Sequence, residues 1–397
     1  MKEQTKCDTS ECIDSLRTKE SYANDLLQNN FQLTGIKEEC IFNRLQSYHV
    51  TQNFCFDIMH DLYEGVCAYD VCNILLGLIE EGVVTLNAIN NRKKYFQFGK
   101  TEFGNDSPAL DYLKLKKFNL KMTASEAKCF THFLPLMIGD IVPIGNKHWK
   151  LLTLLLEILD FLSKSIYLPQ ELPKLQNLVK EHHLLYIKLY GSLKPKHHFL
   201  IHYSTVIQKC GPLKYLWGMR FEAKHKEAKT YLGNTTSRLN SPYTLTVKSG
   251  LQFAKFLLDH ESGVENEIEY NFVKCINLTK TDYFSKIVHN ESIDYNNCLI
   301  LDEVVYRYTK YKANFYLASQ RDVFKLHKIH NLLHQNEKLY VLCYPILLKK
   351  FCTHFQSFEV GSKIDEIHII EISKFLSKPL HLYSINNGNT YCRVKYV

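Results

Sequence analysis

Glycine and proline are scarce, 16 and 10 in 397 residues, and there are only two tryptophans. That scarcity excludes collagen-like, proline-rich and glycine-loop-rich architectures. The glycine-rich phosphate cradles are also missing: the chain has no Walker loop and no G-x-G-x-x-G. It has no G-x-S-x-G nucleophile elbow and no H-E-x-x-H zinc helix. Long apolar runs are lacking too. The most apolar stretch, Leu151–Leu162, covers about 12 residues and carries Glu157 and Asp160. It is too short and too charged to span a bilayer and reads as a core helix. The opening residues, Met1 to Cys7, are polar and lack the apolar segment of a secretory signal. No membrane partner is expected.

What is present describes a globular chain. Hydrophobic residues make up 45% and charged residues 23%, enough to bury a core and against wholesale disorder. The length suggests two or three domains. Lys and Arg outnumber Asp and Glu by 49 to 41, a basic balance that suits a polyanion without establishing one. Thirteen cysteines, an odd number scattered along the chain, argue against a disulfide framework. They point to reduced thiols in nucleus or cytoplasm.

The pattern predicts an α+β protein: a mainly helical amino-terminal two-thirds, then a small β-rich barrel or sandwich. Residues 1–41 read as polar and irregular, and 42–262 as helical. Residues 263–296 read as a connector and 297–397 as β-rich. Met59, Leu62, Tyr63 and Val66 recur at the steps of a buried helical face. Thr123-Ala-Ser-Glu126 is a capping-box signature opening a helix to about Ile138. Further helices are expected over Trp149–Ser163, Pro169–Tyr190, Lys196–Lys209, Arg220–Leu232 and 243–260. Short runs rich in Val, Ile, Tyr and Phe then predict strands, from Asn271–Leu278 to Tyr391–Val397. Asn386-Asn-Gly388 is the hairpin turn between the last two.

Chemistry concentrates in three places. From Lys194 to Leu232 eight basic residues face two acids. Arg220 and Lys224 lie one turn apart, with Lys226 and Lys229 following. Such a cluster suits phosphate neutralisation, or it is an ordinary solvated face. Within the same segment stand His197, His198 and His202. His198 and His202 are four apart, a spacing that can hold a divalent metal with ligands from elsewhere; a satisfied core or surface role is the plainer reading. Cys7 and Cys12 are too widely spaced for the usual zinc pair. Lastly, Asp57, His60 (or Asp61) and Glu64 fall on one side of a helix start. They could bind a metal or relay a proton, or Asp57 could simply cap the helix.

Three motifs carry a family likeness. They are Asp57-Ile-Met-His-Asp-Leu-Tyr-Glu-Gly-Val66, Lys194-Pro-Lys-His-His-Phe-Leu-Ile-His-Tyr203, and Gly211-Pro-Leu with Trp217-Gly-Met-Arg-Phe-Glu-Ala-Lys-His225. In this order they resemble the CACTA (En/Spm-type) DNA transposases and their degenerate animal copies, over about residues 15 to 262. The resemblance implies an RNase H-like core in which two aspartates and a glutamate hold two divalent ions for strand cleavage and transfer. It implies the third-acid role for Glu222. A distant relative, the V(D)J recombinase catalytic subunit, has paired zinc-ligating histidines some twenty to twenty-five residues before that glutamate. The likeness therefore implies zinc at His197 and His202. It further implies that the strands bearing both aspartates lie outside these residues, with magnesium bound only where a complete site is assembled. The expectation is a catalytically incomplete, nuclear (or cytoplasmic), duplex-DNA-binding protein that can form a homo-oligomer. The alternatives are a metal-dependent nuclease or strand-transferase completed by a partner chain, and a protein-interaction scaffold that never touches DNA.

Overall fold

The computed structural model describes residues 6–99, 104–236, 239–261, 268–307, 309–320, 324–375, 378–386 and 388–394. Among the described residues twelve α-helices precede ten strands; the helices are α1 Lys19–Gln28, α2 Phe31–Thr34, α3 Cys67–Glu80, α4 Leu86–Tyr95, α5 Tyr112–Leu115, α6 Ala124–Ile138, α7 Lys147–Leu162, α8 Leu172–Tyr190, α9 Pro195–Leu200, α10 Tyr203–Cys210, α11 Met219–Asn234 and α12 Ser241–Glu261. A π-helical stretch, Met59–Val66, runs directly into α3. Ten strands follow: β1 Ile268–Ile276, β2 Cys298–Tyr306, β3 Thr309–Lys312, β4 Tyr316–Gln320, β5 Phe324–Gln335, β6 Lys338–Cys352, β7 Ser357–Lys363, β8 His368–Glu371, β9 Leu382–Ser384 and β10 Thr390–Cys392. Helices dominate the amino-terminal two-thirds, and the strands form a curled antiparallel half-barrel at the carboxyl end. The expected α+β class holds.

The chain divides into two compact units. The first comprises residues up to Leu86, Ser107–Thr131 and Gly145–Gly218; the second comprises Asn87–Asp106, His132–Ile144 and Met219 onward. In the first, α7 is the central element and packs on α3 and α8. Leu151, Leu152, Leu155, Ile158 and Leu159 of α7 are fully buried, as are Ile74 and Leu75 of α3 and Leu175 of α8. Asn146 caps α7 by accepting from Trp149 N–H, and Gly191, at φ 86°, ends α8.

In the second unit the sheet order is β1-β2-β5-β6-β7-β10-β9, with β3 on β2, β4 on β5 and β8 on β6. β5 and β6 make the central hairpin, with a register shift between Ile329 and Asn331. Leu332, Val341 and Cys343 sit in one core cluster, and Leu333 and Leu342 in another.

Most expected elements are found, with instructive differences. The Thr123/Glu126 capping box forms: Thr123 N–H donates to Glu126 Oε2 at 2.7 Å and Glu126 N–H to Thr123 Oγ1 at 3.3 Å. Inside the segment read as irregular, α1 forms because Thr18 and Ser21 cap it reciprocally. Tyr22 is its one buried residue, so no apolar stripe announced it. The single helix expected over Lys196–Lys209 is two, α9 and α10, broken at Ile201-His202. β5 falls between the strands expected at Ala313–Ala318 and Lys338–Leu347, and neither covers it. β9 and β10 pair as the hairpin read from Asn386-Asn-Gly388, with Gly388 at φ 81°; Asn387, and residues 395–397 of the last expected strand, lie outside the described residues.

Candidate functional site

Asp57 stands before the π-helical stretch, and both of its carboxylate oxygens are bonded. Oδ1 accepts from Met59 N–H at 2.9 Å, which is the capping role. Oδ2 accepts from Gly218 N–H at 3.0 Å and bonds His60 Nδ1 at 2.7 Å. Partial burial pushes the Asp57 carboxyl up, but the bonds from His60, Gly218 and Met59 outweigh it and hold it below the usual range. Gly218 must be small. A Cβ there would lie 2.6 Å from Asp57 Oδ2.

A second clasp joins the same stretch to α9. Lys196 Nζ donates to the His60 carbonyl at 2.6 Å, and its stem lies over Gly65, where a Cβ would meet Lys196 Cδ at 2.2 Å. Lys128 Nζ sits 5.0 Å from the Trp217 ring and 5.6 Å from the Tyr63 ring, a cation held between two aromatic faces. The first two motifs and the Trp217-Gly218 start of the third, far apart in sequence, therefore meet in the first unit. Of the expected Asp57, His60 and Glu64 row, the first two touch, while Glu64 is exposed and takes no part in this bond set. Asp61 is buried, and burial pushes its carboxyl up.

The histidines separate into two networks. His197 is buried and turns inward: Nδ1 accepts from Lys194 N–H at 3.0 Å, and Nε2–H donates to Asp70 Oδ1 at 2.9 Å. Asp70 Oδ2 lies 2.6 Å from His182 Nε2, and His182 Nδ1 lies 3.2 Å from His183 Nδ1. His183 Nε2–H donates to the His197 carbonyl at 2.8 Å. Burial, reinforced by the neighbouring imidazoles, holds His183 well below its ordinary value. Burial alone would raise Asp70, yet His182 and His197 hold it down at about 2. Asp70, His182, His183 and His197 are all 0% exposed, so this is a satisfied internal network with no access to substrate. Sequence reading passed over Asp70, His182 and His183. The available signal was a carboxylate inside the apolar run of α3 and a His-His pair on the inner face of α8.

His202, the other expected zinc ligand, belongs elsewhere. The break between α9 and α10 places it beside His198, their Nε2 atoms 3.3 Å apart. His202 Nδ1 bonds Glu11 at 2.7 Å, and His198 Nδ1 faces Asp8 at 3.5 Å. Carboxylates behind Nδ1 with Nε2 atoms converging is how histidine ligands are oriented toward a metal. Two nitrogens are half a tetrahedral site, and among the described residues no group of three or more His, Cys, Asp or Glu is arranged to hold an ion. Cys7 and Cys12, on either side of Asp8 and Glu11, are exposed, and all thirteen cysteines are free thiols.

The basic segment is not one face. Lys196 serves the His60 clasp, Lys194 lies over the Phe118 ring at 4.4 Å, and Lys214 donates to the Ser163 carbonyl at 2.9 Å. These cations are spent within the first unit. In α11 the situation differs: no residue is buried. Arg220, Glu222, Lys224, Lys226 and Lys229 are exposed, and Lys224 pairs with Glu227 at 3.1 Å. Helical spacing puts Arg220 and Lys224 on one side, and Glu222, Lys226 and Lys229 on the other.

No family model matches this chain, and no curated protein or solved structure matches it either.

Proposed function

We propose that the chain is a transposase-derived protein that binds duplex DNA through α11 and does not carry out strand chemistry by itself. The observation that supports this is α11 itself. Helices in folded proteins are held mainly by packing an apolar face, whereas α11 buries none of its residues and exposes Arg220 and Lys224 together on one side. The partner such a surface suits is a polyanion. Nuclear residence fits the same reading, since thirteen free thiols suit a reducing compartment.

Phosphate contacts release counterions, so affinity should fall with salt at a log–log slope of about −0.9 per contact. Changing both Arg220 and Lys224 to Ala should lower that slope by about two. Titrating a labelled duplex across a salt series measures it. Absent binding at low salt, or an unchanged slope, refutes the reading.

Zinc belongs to the same proposal, with one change of ligand. The converging Nε2 atoms of His198 and His202 favour that pair over His197 with His202, because His197 is occupied by Asp70. Bound zinc would be structural, fastening the segment that carries Asp8 and Glu11 to the α9–α10 junction. Magnesium enters only with a complete set of acids, to which this chain contributes Glu222.

A further inference from the structure

A cavity of about 860 Å³ lies within the first unit, between the segment up to Phe56 and the α9–α10 pair. Small-molecule sites typically run about 300–1,000 Å³. Phe54, Phe56 and Phe199, all half-buried, line it together. Phe56 stacks on Phe199 with ring centres 5.4 Å apart and planes 27° from parallel. It meets Phe54 edge-on, at 5.9 Å and 78°. The three rings make an aromatic corner. A flat ring entering it can stack on one face while meeting another edge-on, the arrangements that aromatic quadrupoles favour.

Cations stand beside that corner. Lys209 Nζ lies 5.6 Å from the centre of the Phe54 ring. Arg17, Lys19 and Lys37 line the same cavity, with two acids, Glu20 and Glu38. Arg17 is paired with Asp25 at 3.0 Å. Glu20 belongs to the start of α1, where backbone and Thr18 bonds hold its carboxyl below the usual range. Three exposed lysines thus remain against one glutamate, which favours an anion. Gln52 is exposed on the same lining, and its amide offers a donor beside an acceptor.

From this arrangement we infer that the cavity is a nucleotide site: the base enters the Phe54–Phe56–Phe199 corner, the Gln52 amide bonds its edge, and Lys209 and Lys37 hold the phosphate. Each part excludes a neighbouring class of ligand. An acyl chain would leave the lysines and the amide unused, and a bare phosphate would leave the rings unused. An aromatic carboxylate has no donor–acceptor edge for Gln52. Glutamine pairs bidentately with the amino and ring nitrogens of adenine, so adenine is the expected base. None of these residues belongs to α11, so the inference does not rest on the DNA-binding proposal. A free nucleotide and a nucleotide within a single strand present the same chemistry to this site.

Isothermal titration of the full chain with AMP is the test. A chelator is included because His198 and His202 line the same cavity, and zinc held there would bind phosphate by itself. AMP should bind, and adenosine, which lacks the charge-assisted phosphate bonds, should bind about tenfold more weakly. Ribose 5-phosphate should not bind measurably. Phe54→Leu keeps an apolar side chain but removes the stacking face, and should weaken AMP by about tenfold or more. Lys209→Gln should weaken AMP and leave adenosine unchanged; the side chain is exposed, so the unfolding midpoint should stay where it is. Changing Arg220 and Lys224 to Ala should leave AMP binding intact, which separates this site from α11. An adenine trinucleotide distinguishes the sources. Binding tighter than AMP that is lost in Phe54→Leu identifies a nucleotide within a strand. Binding no tighter than AMP, or tighter binding that survives the variant and so belongs to another surface, leaves the free nucleotide as the occupant. Absent AMP binding, equal affinities for AMP and adenosine, or AMP binding unaffected by Phe54→Leu overturns the site.

Discussion

At the scale of single residues, Gly218 and Asp57 show how a motif can be conspicuous in sequence while its purpose stays hidden. Trp217-Gly-Met-Arg-Phe-Glu reads as a signature, yet nothing in it says why the second position is glycine. The answer is the Asp57 carboxylate, 161 positions away, whose Oδ2 accepts from the Gly218 N–H and occupies the space of a Cβ. The cap reading of Asp57 was legible from its place before a helix; the second bond was not, because it is a tertiary contact. Gly218→Ala should therefore destabilise the first unit by about 1–3 kcal/mol, the usual cost of overpacking. The strain is steric and aimed at one atom, so Asp57→Ala should absorb most of it. A double-mutant cycle by denaturant unfolding would measure a coupling of about 0.5–3 kcal/mol between the two sites. Additive effects would mean that something other than Asp57 limits position 218.

Among elements, the sequence is readable where local rules decide and opaque where tertiary contacts do. The Thr123/Glu126 box and the end of α8 at Tyr190 are local, and both stand where the sequence pattern puts them. The break at Ile201-His202 has no glycine or proline to announce it, yet it decides that His202 faces His198 and not His197. β5 fails for a different reason. Its bulge between Ile329 and Asn331 destroys the alternation a strand should show, and its buried His327 looks polar. That histidine yields a pH prediction. It bonds Ser319 Oγ at 2.8 Å inside the sheet, and burial, with smaller contributions from His368 and Lys325, pushes it down to about 4. Its folded value thus lies below an unfolded value of about 6.5. Above pH 6.5 both states are neutral and the contribution is complete. Between pH 6.5 and about 4 the unfolded chain takes up the proton first, so stability falls as acid is added. The loss approaches about 3 kcal/mol for this group at the lower end. His327→Gln keeps a neutral hydrogen-bonding side chain and removes the titration. Its unfolding free energy should drop less than that of wild type between pH 7 and pH 4.5; identical acid limbs would refute the assignment.

For the molecule as a whole, the acids decide what chemistry these residues can support. Hydrolysis by two divalent ions requires carboxylates that clamp both metals and leave room for the attacking and departing oxygens. Both carboxylate oxygens of Asp57 are already held, Oδ1 by Met59 and Oδ2 by Gly218 and His60. Asp70 is sealed inside the histidine network at 0% exposure, and Asp61 is buried as well. Glu64 and Glu222 are exposed, and one exposed carboxylate alone does not clamp a magnesium ion, which keeps its waters. Purified chain should accordingly leave supercoiled plasmid intact in Mg²⁺ or Mn²⁺. Glu222→Gln should change neither that result nor the salt slope of DNA binding by more than the removal of one repulsive charge allows. Adding a separate polypeptide that supplies two further acids is the condition under which Glu222 would matter. A nicking assay run with wild type and Glu222→Gln, each passed through the same purification, checks this. Cleavage by wild type that disappears in the variant would show that these residues, or two copies of them, assemble a metal site by themselves, and the proposal of an incomplete transposase would fall.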